Sequence, residues 1–115
     1  MSEKIPGEPY TRVSCDEASE FLEDENCHFI DVRNQDEYAS GHIPGSIWIP
    51  VDQFMQSIEK IPEDGNLYFI CAAGARSGLA CEFSASIEIE EERLFNIFEG
   101  MPTWISKGLP SEQGL

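Results

Sequence analysis

The sequence predicts an α/β fold with a small, mainly parallel sheet flanked by helices on both faces. Short apolar runs alternate with helical patterns along the chain, the pattern expected when crossover helices join parallel strands. The runs are nearly continuous, as in strands covered on both faces. At 115 residues the chain is long enough for one core and not for two.

Residues 1–9 carry Pro6, Gly7 and Pro9 and read as a loose lead-in to a domain spanning 10–112, with 113–115 as a tail. Tyr10 to Val13 is a short strand. Ser14 starts a helix: Glu17 three residues on completes a capping box, and Ala18, Phe21 and Leu22 form an apolar stripe. His28 to Val32 is the next strand. Asn34 to Ser40 makes a helical turn closed by Gly41, Ile43-Pro44-Gly45-Ser46 is turn chemistry, and Ile47-Trp48-Ile49 is a brief apolar segment. Val51, Phe54, Met55 and Ile58 indicate a helix over Asp52 to Glu59. After a turn at Pro62 to Asn66 comes a strand at Leu67 to Cys71, then a helix with Leu79, Ala80, Phe83 and Ile87 on its packed face. Glu88 to Glu92 reads as a solvated connection, Arg93 to Phe98 as the last strand, and Pro102 to Ser106 as a short helix after Gly100.

No run of about 18 apolar residues occurs, so no membrane span is expected. The start, Met-Ser-Glu-Lys-Ile-Pro, lacks a basic and an apolar region, which predicts a cytoplasmic protein. Seven basic residues against 22 acidic ones give a net charge of −15, which argues against nucleic-acid and anionic-membrane partners. The acidic surface serves solubility, recruits a basic protein partner, or reflects adaptation to high salt. Cys15, Cys27, Cys71 and Cys81 form no C-x-x-C pair, so neither structural zinc nor a disulfide framework is expected; no metal and no cofactor are implied.

Chemistry concentrates in Leu67-Tyr68-Phe69-Ile70-Cys71-Ala72-Ala73-Gly74-Ala75-Arg76-Ser77-Gly78. A buried strand delivers Cys71 into a loop of small residues, with a helix directly after it. Backbone N–H groups of the loop and of the helix start can converge on the sulfur, favouring thiolate and cradling an anion. Small side chains leave those donors accessible.

Together these residues resemble the rhodanese-like sulfurtransferase family in its single-domain form, over about residues 10–112. The matching pieces are Ile30-Asp31-Val32-Arg33, Glu37-Tyr38, Gly41-His42-Ile43-Pro44-Gly45-Ser46, the Cys71–Arg76 loop, and Asn96 to Trp104 with Gly108-Leu109-Pro110. The resemblance implies that Cys71 accepts a sulfane sulfur from thiosulfate, a polysulfide or a persulfide donor, and passes it from a Cys71 persulfide to a thiophilic acceptor. Amides of Ala72, Ala73, Gly74, Ala75, Arg76 and Ser77 would bind the substrate, with the Arg76 guanidinium adding positive charge. Sulfur-transferring members place four residues between cysteine and arginine and the related phosphatases five. Ala72 to Ala75 are four, favouring sulfur transfer over dephosphorylation.

Asp31, Arg33 and His42 read as structural support: the first two brace the loop or each other, and His42 bonds within its turn. Cys81, ten residues after Cys71, reads as a buried helix cysteine, with a resolving thiol as the other reading. Glu99 departs from the family pattern, standing where the first of two glycines is common. Against the enzyme stands a second expectation: a non-enzymatic sulfur carrier or interaction module docking on a basic partner.

Overall fold

The computed structural model describes residues 2–115. Its sheet has six strands: β1 (Glu3–Lys4), β2 (Thr11–Val13), β3 (Cys27–Asp31), β4 (Ile47–Trp48), β5 (Asn66–Ile70) and β6 (Leu94–Ile97). They lie in the order β1-β2-β6-β5-β3-β4. Only the β1–β2 pair is antiparallel; all other pairs are parallel. The central strand β5 runs in register with β3 and β6, Phe69 opposite Ile30 on one side and Asn96 on the other.

Successive side chains of β5 point to opposite faces, which divides the core in two. Leu67 and Phe69 join Ile30, Phe54, Ala80 and Cys81 on one face; Tyr68 and Ile70 join Phe29, Ile97, Met101 and Trp104 on the other. Helix α3 (Ala75–Ser86) covers the first face, and α1 (Cys15–Ser19) with α4 (Gly100–Ser106) the second. The α/β sheet flanked on both faces is therefore present as the sequence indicates. Among the described residues no helix is long and apolar enough to cross a membrane.

Local differences have physical causes. Within the 1–9 lead-in, whose residue 1 lies outside the described residues, Glu3–Lys4 pairs with β2 at the sheet edge. Two exposed charged residues give no strand pattern, and the Lys4 ammonium is held by Glu91 and the Tyr10 carbonyl instead. Helix α1 ends at Ser19, so Phe21 and Leu22 sit in the following turn and continue the apolar stripe without helical backbone. The helix expected over Asp52 to Glu59 is two 3₁₀ segments, Val51–Gln53 and Met55–Lys60, with non-helical backbone at Ser57 (φ −124°, ψ 23°). The buried Phe54 anchors them, and packing one aromatic does not require α geometry. Helix α2 (Gln35–Ser40) forms as expected, and the chain end returns to it: Gly114 N–H donates to the Ala39 carbonyl at 2.8 Å.

Candidate active site

Strand β5 ends at Ile70, and Cys71 follows at the carboxyl edge of the sheet, where α/β folds gather ligands. The chain turns through Ala72 and Ala73 to Gly74, which caps α3 with φ +92°. A side chain at Gly74 would meet the Phe98 carbonyl oxygen at 2.8 Å, so this corner takes only glycine. Gly100 (φ +83°) closes the loop from the other side, where a Cβ would run into the Ala72 carbonyl. The Met101 N–H donates to the Cys71 carbonyl at 2.8 Å, tying the loop to the start of α4.

Within this frame Cys71 is 1% exposed, and its sulfur accepts from the Gly74 N–H at 3.1 Å. The Ser77 hydroxyl lies 3.3 Å away. Burial pushes the thiol pKa up, but the Ser77 hydroxyl and the amides of Ser77, Ala73 and Gly74 outweigh it, so the pKa falls below the ordinary thiol value. The other cysteines differ. Burial raises Cys15 to about 12, and both Cys27 and Cys81 are raised as well. Cys81 is fully buried in the α3-face core with its sulfur toward the Phe95 carbonyl at 3.8 Å.

The six loop residues proposed as a cradle lie together. Ala73 and Ala75 are exposed, Ala72, Gly74 and Arg76 half-buried, and Ser77 buried. Amides 75–77 belong to the first turn of α3, whose N–H groups have no intrahelical acceptor. Arg76 differs from the simple expectation of a charge free for substrate. Its guanidinium forks onto Glu37 of α2 at 2.7 and 2.9 Å, and that contact holds the Glu37 carboxyl down to about 2.

Asp31, Arg33 and His42 stand apart from the sulfur. Arg33 grips Asp31 through Nε (2.9 Å) and its terminal nitrogen (2.7 Å), and also donates to the Gly41 carbonyl at 2.7 Å. His42 stacks on Tyr38 with ring centroids 3.8 Å apart, and its Nδ1–H donates to the Tyr38 carbonyl at 2.8 Å. These bonds hold the Gly41–His42 turn against β3 and α2.

Two residues given no site role from sequence belong here: Glu37, and Asn96, whose Oδ1 accepts from Ser77 at 2.6 Å. A polar side chain in Leu94-Phe95-Asn96-Ile97 was the available signal. Alternation puts it on the same face as Leu94, buried, where it must have partners.

Comparison with known proteins bears on the family and the fold. A family model described as "Rhodanese-like domain" matches residues 14–107. The chain is 31% identical over 84 residues to a "Putative sulfur carrier protein YrkF" of Bacillus subtilis, covering 73% of this chain and 44% of that one. It is 30% identical over 87 residues to a "Putative sulfurtransferase YtwF" of the same organism, covering 76% and 82%. A crystal structure of a rhodanese-related protein from Thermoplasma volcanium superposes with a TM-score of 0.77 at 26% identity, covering 88% of this chain and 96% of that one.

Proposed function

The chain belongs to the rhodanese-like domain family, and from that premise we propose that it is a sulfurtransferase working through a Cys71 persulfide. A sulfane sulfur from thiosulfate, a polysulfide or a persulfide donor moves to Cys71 and then to a thiophilic acceptor. The observation that carries this reading is the Cys71 sulfur itself, its pKa lowered by the Ser77 hydroxyl and by loop amides despite full burial. A thiol whose pKa is lowered yields its proton more readily, which supports its use as the nucleophile. The same amides, with the free N–H groups at the start of α3, suit the negative charge that a persulfide carries on its outer sulfur.

The test is intact-protein mass spectrometry after incubation with thiosulfate, or with a polysulfide, beside Cys71→Ser. The expected result is a gain of one sulfur, about 32 Da, on the wild type alone, by the covalent capture that nucleophilic catalysis entails. A gain that survives Cys71→Ser overturns the assignment.

A sulfur carrier docking on a basic protein is the second reading. It is favoured by the carrier name of one relative and by the −15 net charge. Persulfide formation without catalytic thiocyanate release to cyanide would select it.

A further inference from the structure

Behind Cys71 runs a short buried chain of polar groups. Asn96 Nδ2 donates to the Gly74 carbonyl at 3.2 Å, the Ser77 hydroxyl donates to Asn96 Oδ1 at 2.6 Å, and the Ser77 oxygen lies 3.3 Å from the Cys71 sulfur. Ser77 is fully buried and Asn96 is 2% exposed, so their polar atoms take their hydrogen-bond partners from within the fold.

Counting donors and acceptors orders this chain. A carbonyl oxygen only accepts, so the Gly74 carbonyl takes the Asn96 amide hydrogen and thereby turns Asn96 Oδ1 toward Ser77. That oxygen also only accepts, and it claims the single proton of the Ser77 hydroxyl. Ser77 is left with lone pairs for Cys71, which suits a thiol that donates its S–H to Ser77. A thiolate has no proton to give and needs the Ser77 hydrogen for itself. One hydroxyl proton thus has two claimants, and which of them wins depends on the charge at sulfur.

We propose that Asn96 is a positioning residue that competes with Cys71 for the Ser77 hydroxyl proton, so that Ser77 alternates between them as the sulfur changes state. In the thiol, Ser77 donates to Asn96. In the thiolate it turns to the sulfur, leaving Asn96 Oδ1 without a donor. The last state rests on the sulfur-transfer reading. The Cys71 thiolate pair forms a bond to the sulfane sulfur of a donor R–S–S⁻, the donor S–S bond breaks, and its electron pair leaves with R–S⁻. Negative charge now sits on the new outer sulfur within reach of the loop amides. The inner sulfur is neutral, and the Ser77 proton returns to Asn96. Asn96 therefore favours the two states that are neutral at the Cys71 sulfur and raises the pH at which the nucleophile forms.

The charged and titratable groups around the sulfur lie outside this chain. Arg76 is paired with Glu37 of α2, and Asp31 with Arg33 at the end of β3. Glu99 accepts from the Cys15 N–H ahead of α4. On the α3 face stand Cys81 and Tyr10, whose hydroxyl reaches Gly78. On β2, Arg12 stands in register opposite Asn96, lines the same pocket as Asn96 and Tyr10, and is paired with Glu8.

The experiment is the pH dependence of iodoacetamide alkylation at Cys71, read by peptide mass spectrometry so that the other cysteines do not contribute. Ser77→Ala should raise the midpoint. Asn96→Ala should lower it by about half to one unit, the shift that one neutral hydrogen bond is worth. In a Ser77→Ala background, Asn96→Ala should move nothing. A merely structural Asn96 acts with the opposite sign: losing its bond to the Gly74 carbonyl loosens the Gly74 N–H on the sulfur and raises the midpoint, whether or not Ser77 is present. A midpoint that rises or stays put in Asn96→Ala overturns the proposal, as does a fall that persists without Ser77. Asn96→Leu, close in volume and equally without an acceptor, carries the same expectation if the alanine variant does not fold. Persulfide loading, followed by the 32 Da gain, is scored separately; its failure would remove the sulfur-transfer reading and leave the thiol midpoint result standing.

Discussion

Arg76 brings a positive charge to the mouth of the loop, and Glu37 takes it up. Both side chains are partly exposed, at 29% and 34%, so solvent screens the pair and its net worth is about 1 kcal/mol or less. The folded-state pKa of Glu37 is depressed to about 2, chiefly by the Arg76 hydrogen bonds. The contribution is therefore complete above the unfolded carboxyl range near 4.5 and fades as pH falls toward 2. Glu37→Gln should lower stability in urea melts by no more than about 1 kcal/mol at pH 7, with the difference shrinking below pH 4.5. The same change frees the Arg76 guanidinium and removes a carboxylate beside the loop. Thiosulfate loading of Cys71 should then speed up by roughly two- to fivefold, the factor that a screened charge contact is worth. Unchanged loading would show that the amides alone set donor affinity and that Arg76 serves only to dock α3 on α2.

At the scale of elements, two neighbouring residues at the start of α4 do different work. Glu99 has ordinary helical backbone (φ −72°, ψ −27°), and its carboxylate accepts from the Cys15 N–H at 2.8 Å, capping α1 from across the fold. Gly100 alone holds the left-handed corner against the Ala72 carbonyl. Glu99→Ala should cost about 0.5–2 kcal/mol, the usual worth of a helix cap, and Gly100→Ala more than about 2 kcal/mol, from the combined φ and contact penalties. Thermal melts of the two variants separate the roles; equal losses would refute the division. The contrast also shows how far the sequence could be read. A glycine pair lacking its first member was visible in the sequence, but which of the two positions needs glycine is decided by the Ala72 carbonyl, far away in the chain. The α1 capping box was legible because Ser14 and Glu17 are local, and both of its hydrogen bonds form. Strands β3, β5 and β6 were legible from their apolar runs. Strand β1 was not, because its pairing with β2 is all that makes it a strand. Cys71 was legible from its neighbours in sequence; Glu37 and Asn96 reach the loop from α2 and β6 by tertiary packing, which no spacing in the chain encodes.

The whole molecule sets a long-range field against the chemistry proposed for its loop. Of the seven basic residues, six hold carboxylates: Lys4 with Glu91, Arg12 with Glu8, Arg33 with Asp31, Arg76 with Glu37, Arg93 with Glu90 and Lys107 with Asp16. Among the described residues Lys60 alone has no such partner. The surplus of 15 negative charges is thus uncompensated by free cations, and a dianion approaching from solvent meets net repulsion until it comes within reach of the loop amides. Salt weakens that repulsion over distance far more than it weakens contacts inside the cradle, because the Debye length drops from about 30 Å at 0.01 M to about 8 Å at 0.15 M. Over that range the apparent KM for thiosulfate should fall by roughly two- to fivefold. For an uncharged organic trisulfide it should stay constant. Thiocyanate release measured with both donors at the two ionic strengths checks this. If KM for thiosulfate instead rises with salt, local positive potential from Arg76 and the α3 N-terminus governs capture, and the acidic surface faces something other than the small donor.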